Sequence, residues 1–351
     1  MKKFLLQAAV AAIIVLIITN ASATVEYAKN ALDICFGIIV PTLFPFFVCS
    51  GLLIYSGFCE TVAKVFRFCM RPLFGVSEMG ASAFVIGILS GYPLGAITAG
   101  ELFKNGYITK TEAERLLAFC NNSGPLFILG SVGIAMYSDM GVGIALYVCH
   151  ILAAITTGVL FRFYKRKDYV APKTIMTSPE RSVGEIFSIS LSNGVSNMLT
   201  VCGAVLFFGV VSQLVISYLP SEGVLSSVAA ALMEFVTGTL RVSGLDLPLA
   251  QKLIITAFVV GFAGLSVHLQ VMAATHRYGL SLLPYIFGKF IHGIIAAFYT
   301  YIYLCVNPVT EAVFKVSIDK SFSVSAAYVS VVVIICIIAA LSLRLVHGEE
   351  S

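Results

Sequence analysis

The few polar residues of this chain that lie deep inside apolar stretches mark where it could do chemistry. Glu234, in Met233-Glu234-Phe235-Val236-Thr237-Gly238, is the sharpest of them. A charged side chain at the centre of a bilayer costs about 2.5 to 3.5 kcal/mol on insertion scales, so it is normally retained for an ion or a substrate. Glu234 could carry a coupling proton or sodium ion, or touch a solute directly; the structural alternative is a carboxylate that ties down a neighbouring hairpin. Asn121-Asn122-Ser123-Gly124-Pro125 interrupts another apolar run. Its amides are donors, and the helix that restarts beyond it offers an N-terminus whose partial positive charge suits an anion; a plain kink is the alternative. Ser90, Gly91 and Tyr92, with Thr237 and Gly238, could complete a cavity, since glycine lets backbone N–H groups approach a ligand. Arg241 could fork onto a carboxylate or sit at the membrane surface. Ser266, His268 and Gln270 could face the same cavity. Lys289 and His292, three apart, and likewise His150 and Asp33, read as side chains buried against the bundle or snorkelling to the interface.

The chemistry these residues suit is binding and moving a small anionic solute. HExxH, GxSxG, GxxxxGK[ST] and paired intramembrane aspartates are all absent from the sequence, so no enzymatic activity, cofactor or metal is expected. An ion gradient or the solute's own gradient would then supply the energy, with H+ or Na+ as the coupling ion.

Such residues need a membrane around them, and the composition supplies the argument. Of 351 residues 59% are hydrophobic and only 11% charged, with a mean hydropathy of +0.97. Soluble domains carry about 25% charge, so most of this surface must face hydrocarbon. A net charge of +4 gives no reason to expect nucleic acid as a partner. The lipid bilayer is the expected partner, and a homo-oligomer stays open. The nine cysteines show no ligand spacing and read as packing residues.

Unbroken spanning candidates are Phe4 to Ala23, Gly141 to Phe163, Val201 to Tyr218, Leu283 to Val306 and Val324 to Val346. The first reads as an uncleaved helix; Lys2-Lys3, an apolar run and Ala21-Ser22-Ala23 also fit a secretory signal. With the N-terminus inside, all basic residues but Lys29, Arg241, Lys252, Lys289, Lys315 and Lys320 fall on the cytoplasmic side. Glu60 to Leu73 reads as an interfacial helix with Lys64, Arg67 and Arg71 opposite Val65, Phe66 and Cys69. Thr111-x-x-Glu114 has the form of a capping box.

An internal repeat lies at a separation of 137 residues: Ala113-Glu114-Arg115-Leu116-Leu117 with Gly124 matches Ala250-Gln251-Lys252-Leu253-Ile254 with Gly261. Each half reads as long helix, short broken segment, interrupted helix, clean helix. Ala81 to Ser90 is only ten residues, about 15 Å as a helix and half a bilayer core, before Gly91-Tyr92-Pro93 turns it back toward Lys104. Leu225 to Leu232 and the return through Arg241 have the same shape. The expected fold is an all-α polytopic membrane protein of two inverted repeats, each with a re-entrant helical hairpin and an interrupted transmembrane helix. Its parts are an N-terminal helix (1–23), a first repeat (24–164), a cytoplasmic linker (165–182), a second repeat (183–306), an extracytoplasmic loop (307–323) and a C-terminal helix and tail (324–351). Broken helices at matching positions of inverted halves point to a solute site near the bilayer midplane.

Leu43-Phe44-Pro45-Phe46-Phe47, Ser90-Gly91-Tyr92-Pro93-Leu94-Gly95-Ala96 and Glu114-Arg115-Leu116-Leu117-Ala118-Phe119, with Asn121 to Ile128, resemble the YlbJ-like sporulation integral membrane proteins. That family carries the nucleoside-recognition gate domain and is distantly similar to concentrative nucleoside transporters. The resemblance is strongest from Pro41 to Tyr164, and Glu234-Phe235-Val236-Thr237-Gly238 carries it in the second half. It implies the outer forespore membrane of an endospore former and movement of dipicolinic acid toward the spore. A carrier of nucleosides or other small solutes, or a non-transporting scaffold for spore-envelope assembly, are the alternatives.

Overall fold

A computed structural model describes residues 2–165, 181–218 and 223–307, and every regular element among them is helical. The expected helix at 324–346, nearly all of the loop before it and residues 166–180 of the linker lie outside the described residues.

The chain opens with α1 (Lys2–Thr19) and α2 (Ala21–Ile34), which bend by 99° at Asn20. The first helix therefore ends at Thr19 rather than Ala23, and α2 runs straight through the 23/24 boundary set by the sequence. Asn20 turns its amide back onto the Leu16 carbonyl, 3.0 Å away, the local bonding that lets Asn compete with the helix ladder. A π-helical turn, Cys35–Ile39, leads into α3 (Val40–Tyr55). Pro41 lacks an N–H and its ring would collide with a carbonyl one turn back in an α-helix, and a widened turn just before it relieves that collision.

Next, α4 (Phe58–Cys69) is strongly two-faced. It buries Val62 and Ala63, with Met70 just beyond, whereas Val65, Phe66 and Phe68 are exposed. Val62 and Ala63 thus pack on protein, and the exposed apolar residues are free to face lipid.

Two short helices, α5 (Gly80–Ser90) and α6 (Leu94–Lys104), form the first hairpin, turning at Gly91 with φ +78°. A Cβ on Gly87 or on Gly95 would run into the Cys120 carbonyl oxygen. Both arms of the hairpin are thereby seated on the first helix break. That break follows α7 (Lys110–Leu117), whose capping box is Thr109 with Glu112 and not Thr111 with Glu114. Glu112 is drawn into that role because its second oxygen also accepts the Ser77 N–H at 2.8 Å. After residues 121–124 the chain resumes as an eleven-residue π-helix, Leu126–Met136, followed by α8 (Met140–Phe161).

The long α9 (Val183–Ile216) begins at a Ser182 cap, well before the expected Val201. At 34 residues it is about 51 Å long. Its early turns are helical because they have a partner: Gly51 and Val48 of α3 abut Ser190 and Gly194 with no room for larger groups. The second hairpin is α10 (Val224–Met233) and α11 (Phe235–Ser243), broken at Glu234. The second interrupted helix is α12 (Leu249–Phe262) and α13 (Gly264–Thr275), and α14 (Leu283–Val306) closes the described chain.

A hairpin, an interrupted helix and a long helix follow α9, as they follow α4, which itself has no counterpart after α9. The breaks differ in detail, since Gly124 lies in open chain while its sequence match Gly261 is still helical, just ahead of the Ala263-Gly264 break. Among the described residues four helices, α12 and α13 counted as one, are long and apolar enough to cross a membrane, or five if the bent α1–α2 pair counts as one span. Large apolar side chains stand exposed around them, among them Leu199, Phe290 and Phe298. The molecule is an all-α integral membrane protein.

Candidate functional site

Both hairpin tips, the first helix break and α13, the helix that restarts after the second break, meet at one cavity. Ser90, Gly91 and Tyr92 come from the first tip, Ser123, Gly124 and Phe127 from the first break, Phe235 and Val236 from the second tip, and Val267 and Gln270 from α13. Ile39, Leu43, Val201 and Val205 supply an apolar wall from the flanking helices. The space is about 500 Å3 with its mouth included, but the interior has room for only about three water molecules.

The first tip is held against the first break by backbone contact. A Cβ on Gly91 would lie 3.0 Å from the Gly124 nitrogen, and the positive φ also favours glycine there. Ser90 donates to Ser50 at 2.6 Å, and the Tyr92 hydroxyl donates to the Val260 carbonyl at 3.1 Å, reaching across to α12. Ser123 presents its backbone N–H to His150 Nε2 at 3.2 Å, while its hydroxyl lies beside that of Tyr92 without a well-formed bond.

Glu234 does a different job from the one its burial suggested. It is fully buried, yet both carboxylate oxygens are taken up by the start of α11, accepting the Val236 N–H at 3.2 Å and the Thr237 N–H at 2.7 Å. Its extended backbone, φ −138° and ψ 111°, is that of an N-cap. The carboxylate satisfies donors that a helix start inside a membrane must otherwise leave bare, and it is not on the cavity wall.

Gly238 is likewise a packing residue, since a Cβ there would overlap the backbone of Ala231 in α10. Thr237 stands beside Glu234 with no well-formed bond from its hydroxyl. Arg241 is bonded to Gln213 of α9 at 3.0 Å and also lies off the wall. Of the α13 trio only Gln270 reaches the cavity. Ser266 is buried with its hydroxyl unpartnered, and His268 packs edge-on against Phe262 and Tyr285 with Nε2 unpartnered.

Asn121 and Asn122 stand one layer behind the cavity. Asn122 donates to the Phe119 carbonyl at 2.8 Å, closing the end of the preceding turn. The Asn121 side chain lies near the Tyr285 hydroxyl without a well-formed bond, and its own carbonyl accepts from Lys289 Nζ at 3.0 Å. That contact exposes what sequence reasoning set aside. Lys289, His292 and His150 are all buried and hydrogen-bonded in series directly behind the break: Lys289 Nζ to His292 Nδ1 at 3.2 Å, and His292 Nε2 to the His150 carbonyl at 3.1 Å. The available signal was the Lys289/His292 pair at helical spacing on one face of α14.

Outside the membrane-spanning segments, Glu114 on α7 is fully buried and ion-paired with Lys165 at 2.9 Å. Burial pushes its carboxyl up, but the Lys165 ammonium, the Ser281 N–H and the Tyr164 hydroxyl together outweigh that and hold it below the usual carboxylate range. The same pair raises the Lys165 ammonium. Lys165, which the sequence placed in a free linker, is therefore fastened to α7. Among the described residues no group of three or more His, Cys, Asp or Glu side chains is placed to hold a metal ion.

Compared with known proteins, the chain is 29% identical over 317 residues to the Bacillus subtilis (strain 168) "Sporulation integral membrane protein YlbJ", covering 80% of this chain and 78% of that one. No protein-family model matches it. No solved structure matches it either.

Proposed function

We propose that this YlbJ-like integral membrane protein carries a small anionic solute across its membrane, with dipicolinate moving toward the developing spore through the outer forespore membrane as the first candidate. The observation that carries the reading is the cavity at which both hairpin tips, the first helix break and α13 converge. Irregular backbone at membrane depth is tolerated where it is buried in protein or lines a cavity, and transporters place their solute sites at such breaks. The chemistry of the wall fits a flat anionic ring. Phe127, Phe235, Val201 and Val205 give apolar faces, and Ser123 and Gln270 give polar contacts. The π-helix that starts at Leu126 aims its N-terminal partial charge from the same edge. The sporulation role named for the Bacillus subtilis relative supports the cellular setting.

The interior is only about 40 Å3 in this geometry, too little for a solute of dipicolinate's size. Transport then requires one hairpin to withdraw, and the two-arm seating of Gly87 and Gly95 on the Cys120 carbonyl makes the first hairpin a body that moves with the break. The two halves, read as inverted across the bilayer, would open to opposite sides in turn.

The test is uptake by the purified protein in liposomes, with labelled dipicolinate and, in parallel, labelled nucleosides. Saturable dipicolinate uptake, competed poorly by nucleosides, supports the proposal. Nucleoside uptake with none of dipicolinate changes the solute, and no uptake of either under any ion gradient removes transport in favour of a scaffold.

A further inference from the structure

We infer that Lys289, held between Asn121 and His292, is the proton-binding site that couples transport, in place of the acidic Glu234; this rests on the transport reading above. The argument starts from the bonds. His292 Nε2 faces the His150 carbonyl, which can only accept, so that nitrogen carries the hydrogen and Nδ1 is the acceptor toward Lys289. His150 Nε2 accepts the Ser123 N–H, which puts the His150 hydrogen on Nδ1. Both rings are committed as neutral tautomers by these partners. Lys289 is then the one group in the series that can gain or lose a proton without reversing a bond.

No carboxylate balances it. The ion pairs among the described residues involve Lys165, Arg181 and Arg277, and none reaches Lys289. Its nitrogen meets the Asn121 carbonyl, His292 Nδ1 and, at 5.4 Å, the face of the Tyr92 ring. The titratable groups around it are His292 and Tyr285 on its own helix, His150 on α8, His268 on α13, Cys120 at the break and Tyr92 at the hairpin tip; α12 and α7 bring none against it. A buried lysine without a counter-ion is expensive in a membrane and marks ion pathways.

The site is also placed to act on the break. Lys289 holds the Asn121 carbonyl freed where α7 ends, and His150 holds the Ser123 N–H two residues on. Freed carbonyls of this kind are where transporters bind a coupling cation; here an ammonium occupies the position. Tyr92, which lies over Lys289, and Ser123, which His150 holds, both face the solute cavity. His150 also lines a second, much smaller cavity with Thr256 and Val260, with room for about one water, and its Nδ1 has no partner. Binding of a proton converts the amine to an ammonium that tightens on the Asn121 carbonyl and the Tyr92 ring. Its release loosens the hold of α14 on the break and frees the first hairpin tip.

Two measurements on the full-length protein test this. In liposomes at zero membrane potential, a pH difference of one unit supports up to about tenfold dipicolinate accumulation for one proton per solute. The wild type is expected to accumulate and to lose that with a protonophore. Lys289→Met and Lys289→Arg, one uncharged and one always charged, are expected not to accumulate solute under the pH difference. Monodisperse elution in size-exclusion chromatography shows that the variants are folded. Accumulation by Lys289→Met equal to wild type, or wild-type uptake indifferent to the pH difference, overturns the inference.

The second measurement needs no solute. Hydrogen exchange of residues 118–126, corrected for intrinsic rates, is expected to differ between pH 6.5 and 8.5 in the wild type and not in Lys289→Met. The same pH response in both overturns the proton site, whereas a response lost in the variant with no uptake by any protein upholds the site and removes the transport reading.

Discussion

Glu234 offers the clearest test of whether a buried membrane carboxylate is there for an ion or for the backbone. Replacing it with Leu keeps an apolar volume but removes both acceptors from the Val236 and Thr237 N–H groups, which sit at 3.2 and 2.7 Å from its oxygens. Hydrogen bonds to charged groups are worth about 1.5 to 3 kcal/mol each, so losing two costs about 3 to 6 kcal/mol. Replacing Glu234 with Gln keeps one carbonyl acceptor and strands one N–H, at about 1 to 3 kcal/mol. For a chain of this size each kcal/mol moves the melting temperature by about 2 °C, giving drops of about 6 to 12 °C for Leu and about 2 to 6 °C for Gln. The assay is thermal unfolding of the purified protein in detergent, paired with uptake in liposomes under a pH difference. The account expects stability to fall in that order while Glu234→Gln keeps its pH-driven accumulation. It is refuted if Gln abolishes coupled accumulation at an unchanged melting temperature, because Glu234 would then carry the coupling ion.

Other perturbations have defined outcomes. Gly91→Ala forces a side chain to φ 78° and ψ −170°, a region essentially reserved for glycine, and to 3.0 Å from the Gly124 nitrogen, costing about 1 to 3 kcal/mol for the backbone alone; uptake should fall more than folded yield, measured by size-exclusion chromatography. Gly288→Val would drive a Cβ into the Ala118 backbone, prise α14 from α7 and break the Lys289–Asn121 bond, so monodisperse protein should be largely lost. Because the Glu114 carboxyl is held below its unfolded value, its contribution to stability is present above about pH 4.3 and lost as pH falls through the folded value. Glu114→Gln should therefore lower the melting temperature at neutral pH and flatten its decline in acid.

Much of the architecture is written in segment length. A ten-residue apolar run that ends in Gly-Tyr-Pro cannot span a bilayer, and α5 with α6 is the hairpin that this dictates. The break at residues 121–124 was equally visible, because Asn-Asn-Ser-Gly-Pro offers the backbone alternatives to a helix ladder. Choices between similar local patterns were not visible. Thr109 and Thr111 each stand three residues before a glutamate, and the Ser77 N–H, 35 residues away, decides for Glu112. The side of α4 that packs on protein, Val62 and Ala63, was not legible either, because lipid and protein both accept apolar side chains. Glu234 and Lys289 show the same limit in the site. Their types announce a buried charge, but one is answered by the N–H groups two and three residues on and the other by a carbonyl 168 residues away.

The central claim, that an anionic solute crosses through the cavity between the two hairpin tips, the first break and α13, is tested most directly by plugging it. Val201 lines that cavity from α9, whereas Leu199, two residues earlier on the same helix, is 68% exposed on the outer surface. Dipicolinate uptake in liposomes should vanish in Val201→Trp and stay at the wild-type rate in Leu199→Trp, with both proteins monodisperse. Wild-type uptake by Val201→Trp would contradict the account, because the solute would then be taking another path.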